Sequence, residues 1–462
     1  MLVIGGGPAG IAFAARIAML GHAVTLVEQQ AFPRRHVGQS LTPGAVPLLA
    51  SIGIDLAAAA PTPVDAIEVC WDEGEQRRES AVPQSFTVER GAFDRTLLDR
   101  ARVLGVRVIQ PGRLLTQRKS AGLWQVAVGS DAGTETLTVD MIAIATGRGG
   151  AKAGQVATGP RTLAIHGWWH VDGARVLPRI EAGDEGWFWR VPLPDGTVSV
   201  LAFADARRFH GLPGNTLAER FDQLLGTSAI WPEAGRGRLI GAIAAVDATA
   251  WRHPAPVAAG IVRIGDAALA IDPLSSSGVQ KSLQGALAAA IVANTMLRRP
   301  DEAGMAADFY ATMLADAADR HARWAAGHYA RVAAIRPTAF WTDRARGVAA
   351  EINAPSMTCA AVAAGAPVTL CPQARLVDTP CLDAAFVVRR EALIHPAIDG
   401  PVAFLGGQAV APLLRQLVTG QTPVMLARQW SLEMPRDRAL AVTAWLLNNG
   451  VLVADEAARG AP

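Results

Sequence analysis

The sequence is poor in cysteine, in tyrosine and in net charge, and each shortage narrows what the chain can do. Four cysteines, Cys70, Cys359, Cys371 and Cys381, are scattered with no C-x-x-C pair. That spacing excludes a disulfide framework, points to a reducing compartment and suggests no metal site. Basic and acidic residues number 43 and 41, for a formal net charge of +2. A chain so balanced has no field for polyanions, so nucleic acid is not an expected partner. Long apolar runs are missing too. The stretch Ala286 to Leu297 is too short to span a bilayer and carries Asn294 and Thr295. No basic start or small-residue cleavage site precedes the first strand, so no membrane contact is expected and a cytoplasmic location is. Two tyrosines stand against twelve tryptophans. Core packing explains most of that π-surface, and a pocket for a flat ligand would explain the rest.

What is present is a glycine turn in a readable context. Leu2-Val3-Ile4 is a short apolar strand, followed by Gly5-Gly6-Gly7-Pro8-Ala9-Gly10 and an apolar helix from Ile11 to Met19. A second strand, Ala23 to Val27, ends at Glu28. Gly5 allows the tight turn, Gly7 lets the backbone approach a pyrophosphate, and Gly10 lets helix and strand pack closely. The helix start, with Pro8 and Ala9, offers free N–H groups to phosphate, and Glu28 stands where a carboxylate accepts ribose hydroxyls. A structural glycine turn is the plainer alternative; the flanking strand, helix and acid argue against it. The motif does not separate FAD from NAD.

Three later segments make that separation by resemblance. They are Val88 to Arg95 with Arg90, Ala143 to Gly147, and Ile264-Gly265-Asp266-Ala267-Ala268 followed by Asp272-Pro273-Leu274-Ser275-Ser276-Ser277-Gly278-Val279. In this order they resemble the flavoprotein monooxygenase superfamily, which implies FAD as cofactor. The resemblance implies that Asp266 meets the ribityl chain and that Gly265, Pro273, Ser277, Gly278 and Val279 lie along the flavin. A helix beginning at Gly278 would stabilise negative charge on the reduced ring. One dinucleotide fingerprint is visible, so electrons come from transient NAD(P)H contact or from a separate flavin reductase.

Within the superfamily the signs point to the flavin-dependent halogenase branch. Trp187-Phe188-Trp189-Arg190-Val191-Pro192 is similar to its W-x-W-x-I-P signature, and Gly38-Gln39-Ser40 fits the same branch, with Gln39 and Ser40 as flavin-loop residues. Residues two apart share a strand face, so core packing accounts equally well for Trp187 and Trp189. Two departures matter. The halogenases use a lysine to carry the activated halogen, and the only lysines here are Lys119, Lys152 and Lys281, none in the corresponding segment. Tryptophan halogenases place a glutamate after Asp-Pro-Leu, where this chain has Ser275. The resemblance therefore implies oxygen transfer on a halogenase-like frame.

The expected fold is α/β: a discontinuous Rossmann-type FAD-binding domain at 1–55, 85–160 and 255–300, with an inserted mixed substrate-binding sheet at 56–84 and 161–254. The sheet includes strand-like Thr162 to His170 and Gly186 to Ala204, turning at Pro194-Asp195-Gly196. His166 and His170 share a face with Trp168 if the strand is regular, and His166 is the candidate catalytic base. A packed histidine is the commoner case. A helical segment follows at 301–370, its pattern running to about Glu351, and breaks come at Ala354-Pro355 and Cys371-Pro372.

Residues 371–462 read as strands Phe386 to Arg390 and Val402 to Leu405 around Asp399-Gly400, then three amphipathic helices and the strand Val451-Leu452-Val453. This α+β outline resembles the winged-helix modules that recognise peptides in peptide-modifying enzymes by adding an edge strand. A packing cap is the plainer alternative. A DNA-binding role is set aside because Arg389 to Pro462 holds seven arginines against six acids.

Together these features lead to an FAD-dependent monooxygenase acting on an aromatic ring. The resemblance favours a tryptophan within a peptide or protein, as in the flavoproteins that serve tryptophylquinone cofactor biogenesis for quinohemoprotein amine dehydrogenase. Halogenation is the alternative within enzymes, and a non-catalytic flavin-binding module is the alternative outside them.

Overall fold

In the computed structural model the described residues are 1–80, 85–150, 154–171, 176–231, 235–258, 260–346, 365–398 and 400–455. Asp399, Lys152 and the Ala354-Pro355 break lie outside them. The chain divides into two compact units, Met1–Ile352 and Asn353–Pro462.

The first unit contains two large sheets. One has six strands in the order Val257–Ala258, Ile261–Arg263, Ile142–Ile144, Leu2–Ile4, Thr25–Val27 and Arg107–Ile109. All neighbours are parallel except the outermost pair, with Val3 opposite both Ala143 and Leu26. Leu2 and Val3 are fully buried, as a central parallel strand covered on both faces must be. The helix Pro8–Met19 crosses between the first two strands, and the helix Gly278–Arg298 packs along it. A three-stranded meander, Gly112–Ser120, Leu123–Ser130 and Gly133–Val139, buries Val126 and Val128 against Leu2, Val27 and Ile142.

The other large sheet has seven strands in the order Arg238–Asp247, Thr162–His170, Thr197–Asp205, Gly186–Pro192, Arg179–Ala182, Ala66–Cys70 and Glu75–Glu79. Its hairpin turns where the sequence suggests, with the N–H of Thr197 bonded to Asp195 and Gly196 at φ +78. Period-two alternation sorts its residues. Ile165, Trp169, Phe188, Val198 and Val200 face the short helices Ala206–His210 and Leu217–Leu225. Ala164, Trp187, Leu201 and Phe203 face Tyr329, Phe340 and Trp341, from the helices Ala303–Ile335 and Ala339–Arg344. The helical segment thus supplies the core on one face of the seven-stranded sheet. Its long helix stops at Ile335, short of the expected Glu351, because Pro337 cannot continue it.

Two short pieces depart from the expected domain spans. Thr62–Val64 pairs with Ser85–Thr87, which also pairs with Ser40–Leu41, outside the seven-stranded sheet. Trp251–Arg252 pairs with Val156–Ala157 and Leu269–Ala270. Strands of two or three residues carry no alternation to read, so only tertiary pairing assigns them.

In the second unit the strand Val368–Leu370 pairs with Leu452–Ala454, so this fold begins before residue 371, where the sequence reading starts it. A long hairpin, Arg375–Asp383 with Phe386–Ile394, holds a strand that the sequence reading omits. Pro380 and the polar Asp378-Thr379 hide it. Val402 bridges to Leu393, and Phe404–Leu405 pairs with Gln408–Ala409. The three expected helices are Val410–Arg415, Pro423–Trp430 and Arg436–Asn448, closed on a core of Leu413, Leu426, Trp430 and Leu446.

Trp341 gives the fold a direct test. Its ring is fully buried, stands edge-on to Trp71 at 5.4 Å, and donates its indole N–H to the Gly183 carbonyl at 2.9 Å. Urea unfolding of Trp341→Ala is expected to show a loss of about 3–5 kcal/mol, with Trp341→Phe losing less because it keeps most of the volume.

Candidate functional site

The glycine turn is built for close approach. Gly5 has φ +106, and a Cβ there would lie 2.4 Å from the Ala145 carbonyl oxygen. A Cβ on Gly10 would lie 1.9 Å from the Gly5 carbonyl oxygen. Above Gly7 there is no protein atom within 4 Å of the same probe position. The first two glycines therefore serve packing, while Gly7 leaves room for a ligand. No side chain caps the helix that starts at Pro8, so its first N–H groups point into that room. Glu28, 6% exposed, accepts from the N–H of Gly6 at 2.6 Å and of Gln30 at 2.8 Å, which fixes its carboxylate beside the turn. Open space, free N–H groups and an oriented acid suit the pyrophosphate and ribose of FAD.

The second half of the cradle comes from Gly147, Gly265 and the turn before Gly278. Gly147 has φ +63 and open space over it, and a Cβ on Gly265 would lie 2.6 Å from that of Ala9. Asp266 is engaged by Lys281 at 3.0 Å and by Arg148 at 3.2 Å. Burial opposes its ionisation, but these two cations hold its carboxyl below the usual range. Arg148 also donates to the carbonyls of Thr249 and Ile271. Sequence reasoning missed this arginine, since one residue after a glycine turn carries no sign of a partner 118 positions away.

Asp272 accepts from the Leu274 N–H at 2.9 Å and the Tyr329 hydroxyl at 2.8 Å, and its burial pushes its pKa up. The pair shapes the turn Pro273–Ser275, after which Ser276 sits at φ +49 and Ser277 bonds Ser275. The helix at Gly278 then begins without a side-chain cap, and no protein atom lies within 4 Å of a Cβ built on Gly278.

The loop Gly38–Ser40 joins the two halves. A Cβ on Gly38 would reach Val279 at 4.0 Å. Arg90, 5% exposed, donates to Asp94 at 3.1 Å and to the Val37 carbonyl at 2.7 Å, so it holds this loop in place. The Gln39 amide donates to Ser199 on the seven-stranded sheet at 3.3 Å. Between loop and sheet lies a small pocket lined by Arg35, His36, Gln39, Glu89, Arg90, Trp168, Leu193, Asp195 and Thr197. Its two acids are engaged locally: Glu89 accepts from the N–H groups of Gly91 and Ala92, and Asp195 from Thr197.

His166 is absent from that lining. Its ring is buried, edge-on to Trp168 at 4.8 Å, and its Nδ1 has no hydrogen-bond partner among the described residues. Burial first, and then the nearby His36 imidazole whenever it is protonated, push its pKa down to about 4, so it is neutral near pH 7. His170 is exposed at the strand end, and Trp187 stacks on Phe203 at 3.8 Å inside the core. The pocket residues Arg35, His36, Trp168 and Thr197 were not among the expected site residues. Their signal is positional: two lie just before the Gly38 loop, Thr197 directly follows the hairpin turn, and Trp168 lies on the strand paired with that of Thr197. Among the described residues no group of His, Cys, Asp or Glu could hold a metal ion, and no helix is long and apolar enough to cross a membrane.

Comparison with known proteins agrees with this geometry. The tryptophan halogenase family matches residues 1–77 and 71–364. A tryptophan 2-halogenase of Chondromyces crocatus is 29% identical over 369 residues, covering 74% of this chain and 70% of its own. A flavin-dependent halogenase of Armillaria mellea is 28% identical, covering 72% of each. Among solved structures, a peptidyl tryptophan dihydroxylase essential for tryptophylquinone cofactor biogenesis superposes with a TM-score of 0.71 at 27% identity, covering 97% of this chain and 98% of that one. The flavin-dependent halogenase CmlS superposes at 0.76 with 20% identity, covering 98% and 95%, which speaks to the fold.

Two measurements test the site. Gly7→Ala meets no protein obstacle. It is therefore expected to leave the melting temperature of the FAD-free protein within a few degrees while weakening FAD binding, by titration, at least about tenfold. Gly10→Ala is expected to lower both. For His166 the folded pKa lies below the unfolded value, so the unfolded chain binds more protons between about pH 4 and 6.5. Its contribution is complete above pH 6.5 and is lost as pH falls towards 4. Denaturant titrations should find this slope, of order 3 kcal/mol at most, removed in His166→Gln.

Proposed function

Because the chain belongs to the tryptophan halogenase family, we propose that it hydroxylates an aromatic ring, that of a tryptophan held in a peptide or protein. The protein is an FAD-dependent oxidoreductase that modifies aromatic substrates. Gly5, Gly7, Pro8, Ala9, Gly10, Glu28, Gln39, Ser40, Gly147, Gly265, Asp266, Pro273, Ser277, Gly278 and Val279 would hold FAD, which would supply two-electron activation of dioxygen. Arg90 holds the loop between cofactor and substrate. The seven-stranded sheet would present the ring at Trp168, on the wall of the small pocket beside the Gly38 loop.

The observation that carries oxygenation over halogenation is where the lysines lie. Lys281 is tied to Asp266 and the Leu269 carbonyl in the flavin half. Lys119 lies over Trp124 in the side meander. Among the described residues no lysine lines the pocket, so none stands ready to carry an activated halogen. Ser275, where tryptophan halogenases have glutamate, is engaged with Ser277.

The peptide part of the proposal draws on the likeness, over nearly the whole chain, to a peptidyl tryptophan dihydroxylase. The second unit would hold the peptide, and either NAD(P)H or a reductase would supply electrons. Halogenation is the second reading, favoured by the 29% identity to a tryptophan 2-halogenase.

The test is a single turnover. Full-length protein with chemically reduced FAD is mixed with a tryptophan-bearing peptide, bromide and isotopically heavy dioxygen. Mass spectrometry is expected to find heavy oxygen on the indole and no bromine. A brominated indole would reverse the assignment.

A further inference from the structure

We propose that His36, through its Nε2, is the base that takes the ring proton during hydroxylation; this rests on reading the chain as a hydroxylase of indole. Three features of the pocket lead there. His36 lines the pocket together with Gln39 and Arg90, two residues before the Gly38 loop and across from Trp168. Its Nδ1 lies 2.7 Å from its neighbour's carbonyl oxygen, Val37 O. A carbonyl has no proton to give, so Nδ1 carries the hydrogen, and in the neutral ring Nε2 keeps its lone pair. That same carbonyl is held by Arg90 at 2.7 Å, and Arg90 by Asp94, so the imidazole is anchored at its base.

The surroundings keep the ring neutral. His36 is an exposed residue on the pocket wall, and the loop around it strips part of its hydration. That desolvation lowers its pKa first, and the cations of Arg90 and Arg34 lower it further against the opposing bond to Val37 and the charge of Asp94. Arg35, also on the pocket wall, lies over the Trp168 ring at 6.0 Å, and His166 stands edge-on to that ring at 4.8 Å as a neutral imidazole. Glu89 and Asp195, the pocket's two acids, are occupied by their own turns.

The chemistry balances. Dioxygen and two reducing equivalents give one oxygen to the ring as hydroxyl and one to water. The attacked carbon's C–H bond breaks, its electron pair returns to the ring, and the proton goes to Nε2. The imidazolium then loses that proton to solvent at the pocket mouth. His166 is the less suited of the two imidazoles, because Trp168 lines the pocket and His166 does not.

The first readout needs no turnover. Nitrogen NMR of full-length protein with isotope-labelled histidine should show His36 in the Nδ1–H form at pH 7, titrating below 6.5. Adding N-acetyl-tryptophanamide should move the Nε2 resonance. An Nε2–H tautomer, or a ligand shift confined to His166, would overturn the proposal. Turnover is read with the same probe: His36→Ala should lower kcat about 10²-fold or more with KM nearly unchanged, and added imidazole should restore it. Wild-type turnover with an unaltered His36→Ala, or imidazole rescue only of His166→Ala, would sink this proposal alone. No oxygenated product from the wild type would remove the hydroxylase reading and this proposal with it.

Discussion

The contact between the first strand's turn and the helix that follows it is the constraint on which the rest depends. Gly10 lies so close to the Gly5 carbonyl that a methyl group would sit 1.9 Å from its oxygen. Gly5 in turn faces the Ala145 carbonyl at the end of the neighbouring parallel strand. Moving the helix out by the width of a side chain would draw its uncapped N–H groups away from the space over Gly7. It would also shift Ala9, against which Gly265 rests, and with it the segment that carries Asp266. One pair of missing Cβ atoms thus sets the geometry of both halves of the FAD cradle.

A second sheet stands on that frame with its faces divided by period-two alternation. One face is filled by Phe209, Phe221 and Leu224 from short helices, the other by Tyr329, Phe340 and Trp341 from the chain that follows the flavin helix. The second packing has a functional consequence. Tyr329, buried among those aromatics, bonds Asp272, which shapes the turn leading to Gly278. The core of the seven-stranded sheet and the turn before Gly278 therefore share one side chain.

Charge is handled in the same way, by local engagement. Arg90 pairs with Asp94, Asp266 with Arg148 and Lys281, and the pocket acids with backbone N–H groups. What remains open in the pocket is the imidazole of His36 and the Arg35–Trp168 stack. The base we propose, a neutral imidazole beside an aromatic wall, suits reaction at a ring carbon, which offers no charge for an ion pair to bind.

The cradle was legible in the amino-acid order because its parts are local: strand, glycine turn, helix and acid lie within the first 28 residues. The Pro194-Asp195-Gly196 hairpin and the three C-terminal helices were legible for the same reason, since turn chemistry and helical spacing act over a few residues. The pocket was not. His36 and Trp168 are 132 positions apart, and a histidine two residues before a glycine looks the same whether it meets solvent or substrate. Nor could sequence tell that His166, the histidine it singled out, is absent from the pocket wall while His36 is on it. The partners of Asp266 and Asp272 come from Arg148 and Tyr329, far along the chain. Local backbone preference determines elements and the motifs within them. Which side chains share a cavity, and which imidazole keeps a free lone pair, is decided only when packing brings distant strands and loops together.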